Sequence, residues 1–415
     1  MQKPQFDQIL QAAERLDPVV THTPLQFNAS LSEKFGANVY LKREDLQVVR
    51  SYKLRGAYNK MSTLPASELA KGVICASAGN HAQGVAWACQ YLQVKGTIFM
   101  PSTTPAQKIR QVRLFGKEWI DIRLTGDTYD DASNAARLFE NETGGTFIHP
   151  FDDISVMEGQ GTVGLEIVND ADFEIDYVLF AIGGGGLGAG VSTVFKARNP
   201  KTQLIGVEPE GAASMKASLE KGEVVTLEEI NKFVDGAAVK RVGEMSFAVC
   251  KENINQVLTV PEGKVCSTIL DLYSGDAIVA EPAGALSIAA LDDIAEEIKG
   301  KNVICILGGG NNDILRMEEI RERSMIYEGL KHYFIIRFAQ RAGALQSFVN
   351  DALGPTDDIV FFEYSKKTAR ERGPALVGIE IKDKEDFQSL TSRMKAAGIE
   401  FTYINDKPEL FEFLI

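Results

Sequence analysis

The sequence predicts an α/β protein built on a mostly parallel sheet, followed by a smaller ferredoxin-like βαββαβ domain. Three observations lead to this prediction. The chain has 415 residues, whereas a single domain usually has roughly 100–200 residues. Short β-branched runs alternate with helical stretches between residues 38 and 315, which is typical of βαβ units. The pattern changes near residue 324, and we therefore expect domains at residues 1–323 and 324–415.

The first domain is predicted to alternate strands and helices. Its strands are Val39–Lys42, Val73–Ala76, Gly96–Met100, Glu118–Leu124, Thr146–His149, Tyr177–Ile182, Gln203–Glu208 and Val303–Leu307. Its helices are Lys53–Thr63, His81–Leu92, Ala106–Leu114, Thr128–Thr143, Met157–Asn169, Gly186–Lys196, Thr268–Tyr273 and Gly284–Asp293. Ligands bind outside the carboxyl ends of the strands in such open sheets. The residues that directly follow each strand are therefore the candidates for function.

The second domain has a different order of elements. Its predicted strands are Tyr333–Phe338, Asp358–Tyr364, Ala375–Ile381 and Glu400–Ile404. Its predicted helices are Ala344–Leu353 and Lys384–Ala397. The order βαββαβ is that of the ferredoxin-like fold.

The composition argues against several classes of protein. The chain has 44 Lys and Arg against 57 Asp and Glu, and a net charge of −13 disfavours binding to nucleic acid or to an anionic membrane. Apolar runs such as Tyr177–Ile182 are shorter than the roughly 20 residues of a membrane span. Residues 1–16 form a polar amphipathic pattern rather than a signal peptide. The five cysteines and four histidines are scattered, so we expect no metal site and a protein of the reducing cytoplasm.

A polar loop of small residues follows the predicted strand Val73–Ala76. It consists of Ser77, Ala78, Gly79 and Asn80 and leads into a predicted helix. Backbone N–H groups can approach an anion closely in such a loop, and the helix dipole favours negative charge there. The loop would suit a carboxylate or a phosphate. An ordinary capped turn is the alternative.

Four consecutive glycines and a leucine follow the strand Tyr177–Ile182: Gly183, Gly184, Gly185, Gly186 and Leu187. Glycine loses more backbone entropy on folding than any other residue, so this run indicates a nest of N–H groups around a phosphate. The run also satisfies G-x-G-x-x-G, and Glu208 follows at the distance of a dinucleotide fingerprint. A dinucleotide site therefore stays open as an alternative.

Two further segments carry candidate residues. Gly308, Gly309 and Gly310 follow the strand Val303–Leu307 and could contact a ligand ring or simply turn the chain. Lys53 would begin a helix, where the helix dipole repels a cation. If the side chain is also desolvated there, the pKa of Lys53 would be lowered. A neutral amine is what a Schiff base with a carbonyl cofactor requires. Taken alone, Lys53 would be interpreted as a solvated surface lysine.

Four ordered segments together resemble the motifs of the fold-type II pyridoxal-phosphate enzymes: Ser51–Ala57, Ser77–His81, Gly183–Leu187 and Glu281–Ala285. That family has two open, twisted, mostly parallel α/β subdomains. More narrowly, nearly all of residues 5–415 is similar to the biosynthetic threonine dehydratases, which are threonine ammonia-lyases. The resemblance implies pyridoxal 5′-phosphate as cofactor. It also implies deamination of L-threonine to 2-oxobutanoate and ammonia, the committed step of isoleucine biosynthesis.

The resemblance also implies roles for individual residues. Lys53 would carry the cofactor as an internal aldimine and, once freed by the substrate amine, would remove the Cα proton. The loop from Gly183 to Leu187 would bind the cofactor phosphate. Asn80 would hydrogen-bond the cofactor's 3-hydroxyl, and the loop from Ser77 to Asn80 would take the substrate carboxylate. The cofactor itself would act as the electron sink.

Two positions bear on the type of reaction. The family usually has a serine at the position of Gly308, and that hydroxyl bonds the pyridine nitrogen, which a glycine cannot do. Water or backbone would be its partner here, and the absence of an acid at the ring is consistent with elimination rather than transamination. Ala78 stands where related racemases have a serine, which argues against racemisation.

The second domain looks like an ACT-like regulatory domain. The segment Gln340–Leu345 lies at its first strand–helix junction, where such domains bind amino acids, although Gly343 alone could mark a plain turn. We expect feedback inhibition by isoleucine, with valine as a candidate opposing effector. One copy is present, so the effector site would be completed between subunits or shared with another surface. The family's habit suggests a homotetramer.

Three alternatives stay open. The close rival is a catabolic threonine/serine dehydratase or a serine racemase. A nicotinamide-dependent oxidoreductase would use the glycine run and Glu208, and the colour of the purified protein would exclude it. A non-catalytic amino-acid sensor would bind effector without turnover, and an assay of 2-oxobutanoate would distinguish it.

Overall fold

The computed structural model describes residues 2–364, 371–407 and 410. The chain divides into two compact units, Met1–Asp313 and Ile314–Ile415. The domain boundary predicted at 323/324 lies inside the helix Met317–Tyr327, which groups with the second unit.

The described part of the first unit contains ten strands. They are β1 (Leu25–Phe27), β2 (Asn38–Arg43), β3 (Val73–Ala76), β4 (Gly96–Met100), β5 (Ile120–Leu124), β6 (Thr146–Phe147), β7 (Tyr177–Ala181), β8 (Gln203–Pro209), β9 (Gln256–Val260) and β10 (Asn302–Leu307).

The α-helices of the first unit connect and flank these strands. They are α1 (Phe6–Leu16), α2 (Ala29–Phe35), α3 (Lys53–Ser62), α4 (Ala66–Leu69), α5 (Asn80–Leu92), α6 (Ala106–Gly116), α7 (Tyr129–Thr143), α8 (Ile154–Asp170), α9 (Gly186–Arg198), α10 (Ser214–Lys221), α11 (Glu244–Asn253), α12 (Glu262–Asp276) and α13 (Pro282–Ala289).

The strands of the first unit form two sheets. The larger has the order β1-β2-β10-β7-β8-β9, and all of its strands pair in parallel except β1, which is antiparallel to β2. The smaller has the order β5-β4-β3-β6 and is wholly parallel. The predicted α/β class with two mostly parallel subdomains is therefore confirmed. Both sheets place the carboxyl ends of their central strands where the candidate loops begin.

Local sequence explains how several helices begin. Thr128 and Asp131 form a reciprocal capping box at the start of α7, and the Asp153 side chain accepts the Val156 N–H at the start of α8. Such caps satisfy N–H groups that the helix itself leaves unpaired. Helix α9 begins differently, at Gly185 with φ +93° and without a side-chain cap. Its free N–H groups are therefore left for another partner.

The second unit is the predicted βαββαβ fold. It begins with α14 (Met317–Tyr327) and continues with β11 (Lys331–Ala339), α15 (Ala344–Ala352), β12 (Asp358–Tyr364), β13 (Arg372–Glu380), α16 (Asp386–Ala396) and β14 (Phe401–Tyr403). The sheet order is β12-β13-β11-β14, and every pairing is antiparallel. Aromatic and aliphatic side chains of β11 and β13 pack against Phe348, Leu390 and Met394 of the two helices.

Several elements differ from the sequence-based prediction. The strand expected at Glu118–Leu124 begins at Ile120, and the helix expected at Thr268–Tyr273 extends over Glu262–Asp276. Strand β9 (Gln256–Val260) was not predicted; it lies at the sheet edge, and most of its residues are only half-buried. None of the helices in the described residues is long and apolar enough to cross a membrane.

Candidate active site

The candidate loops meet at the carboxyl edges of the two sheets in the first unit. The loop after β3 leads to Asn80, which donates through Nδ2 to Glu281 Oε1 at 2.5 Å. Asn311, in the loop after β10, donates through its own Nδ2 to Asn80 Oδ1 at 2.8 Å and to Val49 O at 2.9 Å. The structure thus brings together residues that are 201 and 231 positions apart in sequence. Both atoms of the Asn80 amide have partners within the protein.

Lys53 lies at the first position of helix α3, with its side chain half-buried. Its Nζ donates to the carbonyl oxygen of Pro150 at 2.9 Å. Desolvation lowers the pKa of Lys53 to about 8, and the Glu281 carboxylate opposes that shift. The amine is therefore far more often neutral near neutral pH than a solvated lysine would be. The pKa of Lys53 is therefore shifted in the direction that the sequence argument required.

A buried ion-pair network holds the helix that carries Lys53. Arg55, two residues further along α3, has no solvent exposure and contacts Glu44 at 2.7 Å and Glu166 at 2.6 Å. Lys42, also without exposure, contacts Glu166 at 2.7 Å. Removing one partner of such a buried network leaves an uncompensated charge, so the network fixes α3 against α8. The backbone of Lys53 therefore belongs to a helix that is held in place, not to a loop.

The glycine loop after β7 is shaped by its neighbours. A Cβ atom added at Gly184 would overlap the ring of Phe151. The carbonyl of Gly184 accepts from Ser246 Oγ at 2.6 Å and from the Gly243 N–H at 3.2 Å. In contrast, no backbone carbonyl of the described residues accepts an N–H group of the segment from Gly183 to Leu187. The loop therefore has fixed carbonyls and unpaired N–H groups at the start of α9, which is the arrangement that binds phosphate.

Glu208 has a different use from the one that a dinucleotide site would require. Its side chain is fully buried, and its carboxylate oxygens accept the backbone N–H groups of Met215 at 2.7 Å and Lys216 at 2.8 Å. Burial raises its pKa to about 7. Because the Glu208 carboxylate already accepts two N–H groups at the start of α10, it is not available to bind a ribose. The nicotinamide-dependent alternative therefore lacks the acidic residue that it requires.

The small-residue loop before α5 is held by a short turn. The Ser77 backbone N–H donates to Phe99 O at 3.1 Å, and the Gly79 N–H donates to Ser77 Oγ at 3.3 Å. Ala78 and Gly79 precede Asn80, which is the first residue of helix α5. A Cβ atom added at Gly79 would meet nothing within 4 Å, so open space lies beside this helix start.

Sequence reasoning missed several residues that line the same region. Glu281 belongs to the segment Glu281–Ala285, but the sequence predicted no role for it. It is nearly buried, and burial together with Asp235 raises its pKa to about 7. An added Cβ at Gly309 would overlap Glu281 Oε1, so the absence of a side chain at Gly309 leaves the space that the Glu281 carboxyl group occupies. Pro150, Phe151 and Tyr52 were also missed, because their roles depend on contacts that no local pattern encodes.

The carboxyl edge of the site therefore combines a lysine amine with a lowered pKa, an anion-binding glycine loop and a polar cluster. The family model described as "Pyridoxal-phosphate dependent enzyme" matches residues 16–309. The model described as "C-terminal regulatory domain of Threonine dehydratase" matches residues 322–414.

Full-length relatives narrow the family. "L-threonine dehydratase biosynthetic IlvA" of Halalkalibacterium halodurans is 57% identical over 415 residues, which is 100% of both chains. The protein of the same name from Bacillus subtilis is 56% identical over 412 residues, covering 99% of this chain and 97% of that one. This chain belongs to the biosynthetic threonine dehydratase family. It is therefore a pyridoxal-phosphate dependent enzyme with a C-terminal regulatory domain, as the resemblance implied.

Solved structures agree with the family. The processed form of threonine deaminase isoform 2 from Solanum lycopersicum has a TM-score of 0.73 and 42% identity, covering 78% of this chain and 95% of that chain. A second solved threonine deaminase, from the organism abbreviated T.th., has a TM-score of 0.71 and 37% identity, covering 75% and 99%. Maize serine racemase has a TM-score of 0.73 at 28% identity, covering 79% and 99%. The fold alone therefore does not separate dehydratases from racemases.

The residues of the threonine dehydratase site fit the cofactor that the family implies. The unpaired N–H groups at Gly183–Leu187 suit a phosphate, and a Cβ at Gly184 would overlap the Phe151 ring that packs on this loop. The Pro150–Phe151 pair connects this loop to Lys53, since Pro150 O accepts from Lys53 Nζ and the Phe151 ring packs on Gly184. An amine with a pKa of about 8 suits an aldehyde carbon.

Proposed function

We propose that this chain is a threonine ammonia-lyase that converts L-threonine to 2-oxobutanoate and ammonia as the committed step of isoleucine biosynthesis. We assign catalysis to residues 1–323 and regulation to residues 324–415. The observation that carries the proposal is the position of the desolvated Lys53 amine next to a loop of unpaired N–H groups. Lys53 Nζ donates to Pro150 O, and the ring of the adjacent Phe151 packs on Gly184 of that loop. The relatives that are 57% and 56% identical are named for this activity.

We assign the cofactor contacts to the residues that fit them. Lys53 would hold pyridoxal 5′-phosphate covalently, and the N–H groups from Gly183 to Leu187 would bind its phosphate. Asn80 would reach its 3-hydroxyl, for which one of its present partners, Glu281 or Asn311, would have to share the amide. Gly308 would lie against the ring. When bound, the cofactor supplies an electron sink for the bond that is broken at Cα.

The protein itself would orient the substrate and move its protons. The loop formed by Ser77, Ala78, Gly79 and Asn80 lies at the start of α5, where N–H groups and the helix dipole favour the substrate carboxylate. The freed amine of Lys53 would act as general base at Cα, because its pKa of about 8 lies near the working pH.

The residue at position 78 favours elimination over racemisation. Racemisation needs a second acid or base on the opposite face of the substrate, and Ala78 has no ionisable group. The preference for threonine over serine has weaker support, because one methyl group contributes only about 1–3 kcal/mol of discrimination. A catabolic dehydratase acting on both amino acids is therefore the close alternative, and the regulatory domain favours the biosynthetic role.

We propose that isoleucine inhibits the enzyme through the second unit, and that valine opposes it. A groove of about 660 Å³ lies at the junction of β11 and α15, and its apolar lining includes Phe338, Leu345 and Phe362. Arg341 lies in the same lining, and α15 begins at Gly343 with φ +80°. A guanidinium and free helix N–H groups suit a carboxylate, while the apolar surface suits a branched side chain.

The oligomeric state and the cellular location are inferred from the family and not from contacts in the structure. We propose a homotetramer in the cytoplasm, since most oligomers of soluble proteins are symmetric assemblies of identical chains. Sedimentation of the purified protein would test the tetramer.

The decisive experiment is an assay of 2-oxobutanoate formation from L-threonine, with and without isoleucine, on protein whose visible spectrum has been recorded. We expect a visible absorption band, turnover of threonine and inhibition by isoleucine. A coloured protein without turnover would instead favour an amino-acid sensor. A colourless protein that cannot be reconstituted with pyridoxal phosphate would contradict the proposal.

A further inference from the structure

Gly308 leaves a gap that a neighbouring side chain fills. It is buried, and it directly follows β10 at the carboxyl edge of the larger sheet. A Cβ atom added there would lie 3.3 Å from Cε1 and 3.4 Å from Cδ1 of Tyr52. The edge of the tyrosine ring thus lies along the direction in which a side chain at position 308 would project.

The backbone fixes Tyr52 in this position. The Tyr52 N–H donates to Gly308 O at 3.2 Å, and Ser51 forms an antiparallel bridge with Gly309. Tyr52 directly precedes Lys53, and the Lys53 Nζ lies 5.4 Å from the centroid of the tyrosine ring. The ring therefore contacts the glycine after β10 and lies beside the reactive amine. Its register depends on backbone contacts, so the position does not rely on the hydroxyl.

The hydroxyl of Tyr52 is available to a ligand. The side chain is half-buried, and its hydroxyl makes no hydrogen bond to any of the residues that the structure describes. Desolvation and the Glu281 carboxylate raise the pKa of Tyr52, so the hydroxyl keeps its proton over the whole working pH range. A hydroxyl that makes no hydrogen bond within the protein can donate one to a ligand that binds beside it.

We propose that the Tyr52 hydroxyl hydrogen-bonds the ring nitrogen of bound pyridoxal phosphate and so provides the contact that Gly308 cannot make. The inference rests on the proposed function, because it takes the cofactor to be held between Lys53 and the glycine loop. A phenol donates a hydrogen bond without giving up its proton. Tyr52 would therefore bind and orient the ring while leaving its nitrogen unprotonated, which suits elimination.

The experiment measures cofactor binding in a double-mutant cycle. Tyr52→Phe removes the hydroxyl and keeps the ring against Gly308, while Gly308→Ser supplies a hydroxyl from the other side. Apoenzymes of the parent protein, both single variants and the double variant are titrated with pyridoxal phosphate, and the dissociation constant and visible spectrum are recorded. Tyr40→Phe is the matched control, since Tyr40 packs on Phe173 at 4.4 Å, within an aromatic cluster with Phe27.

We expect Tyr52→Phe to weaken cofactor binding about three- to tenfold, the size of one hydrogen bond, and to shift the visible band. The Gly308→Ser/Tyr52→Phe double variant should recover most of that loss, because the serine replaces the hydroxyl. Tyr40→Phe should leave both readings unchanged.

Two results would overturn the inference. One is a Tyr52→Phe protein with the affinity and spectrum of the parent, and the other is a double variant that binds no better than Tyr52→Phe alone. Either result leaves the proposed function intact as long as the parent protein forms its visible band. A parent protein without that band would instead remove the cofactor site itself.

Discussion

Each of the two units begins one helix in the same way, but the surroundings of the two helix starts differ. Helix α9 follows β7 and starts at Gly185 with φ +93°, while α15 follows β11 and starts at Gly343 with φ +80°. Neither helix has a side-chain cap, and a positive φ is readily adopted only by glycine. The local backbone is therefore nearly identical in the two places.

The surroundings differ. A Cβ at Gly185 would lie 2.9 Å from Met215 Cε and 3.0 Å from Ser246 Cβ, whereas at Gly343 the nearest atom is Arg341 Nη1 at 3.8 Å. The first helix start is enclosed by packed side chains, and the second is open to solvent. We infer that the enclosed helix start, at Gly185, holds a resident cofactor. The open helix start, at Gly343, would hold an effector that exchanges with solvent. Four predictions test this comparison, in order of decreasing effect.

The largest effect is expected at Lys53, the proposed covalent anchor of the cofactor. Lys53→Ala should abolish both the visible band and threonine turnover, because Lys53 Nζ is the only amine of the described residues that donates to Pro150 O. The fold should persist, since α3 is held by the Arg55 network rather than by Lys53. Spectra, activity and circular dichroism check this, with the exposed Lys71→Ala as control. Retained turnover would remove Lys53 from the mechanism.

A smaller but still large effect is expected in the glycine loop. Gly184→Ala places a Cβ into the Phe151 ring, and such overpacking typically costs about 1–3 kcal/mol. Pyridoxal-phosphate binding should weaken roughly ten- to hundredfold, measured by titration of the apoenzyme. Gly275→Ala is the matched control, because an added Cβ there meets nothing within 4 Å. Equal affinities for the two variants would contradict the enclosed cradle.

The pKa of Lys53 predicts a pH dependence for cofactor attachment. The pKa is lowered from 10.5 to about 8, so the neutral amine increases as pH rises and half of it is neutral at about pH 8. Apoenzyme should therefore combine with pyridoxal phosphate faster as pH rises, with a half-maximal rate near pH 8 and a plateau above it. Absorbance after rapid mixing measures this. A half-maximal rate near pH 10.5 would mean that Lys53 is solvated.

The smallest effect is expected in the open site of the second unit. Arg341→Ala should weaken inhibition by isoleucine about three- to tenfold, because a solvent-exposed charged contact contributes little. Turnover without isoleucine and cofactor affinity should not change. Arg337→Ala is the control, since Arg337 pairs with Glu400 and does not line the groove. If Arg337→Ala relieves inhibition equally, the groove is not the effector site.

Much of this architecture could be predicted because its signals are local. The alternation of apolar runs predicted a mostly parallel α/β arrangement, the family resemblance implied its division into two subdomains, and the βαββαβ order predicted the second unit. The errors fall where local signals are weak, such as the edge strand Gln256–Val260 and the extended start of helix α12 at Glu262. An edge strand is half exposed, so its sequence lacks the continuous apolar run of a central strand.

The candidate site divides in the same manner. The glycine run and Lys53 were recognisable, because an N–H nest requires glycine and a Schiff base requires an amine. The hydrogen bond from Asn80 to Glu281 and the packing of Phe151 on Gly184 were not recognisable. Neither contact follows from spacing along the chain, since each depends on how distant loops meet.

The amino-acid pattern was enough to predict the two fold types, the loops at the strand ends and Lys53 as the candidate amine, because periodicity and backbone conformation are properties of neighbouring residues. Three features depend on contacts between distant segments: Glu208 accepts backbone N–H groups at the start of α10, Tyr52 lies against Gly308, and the pKa of Lys53 is lowered to about 8. The physical reason is that desolvation and close packing arise only when segments far apart in sequence are brought into contact.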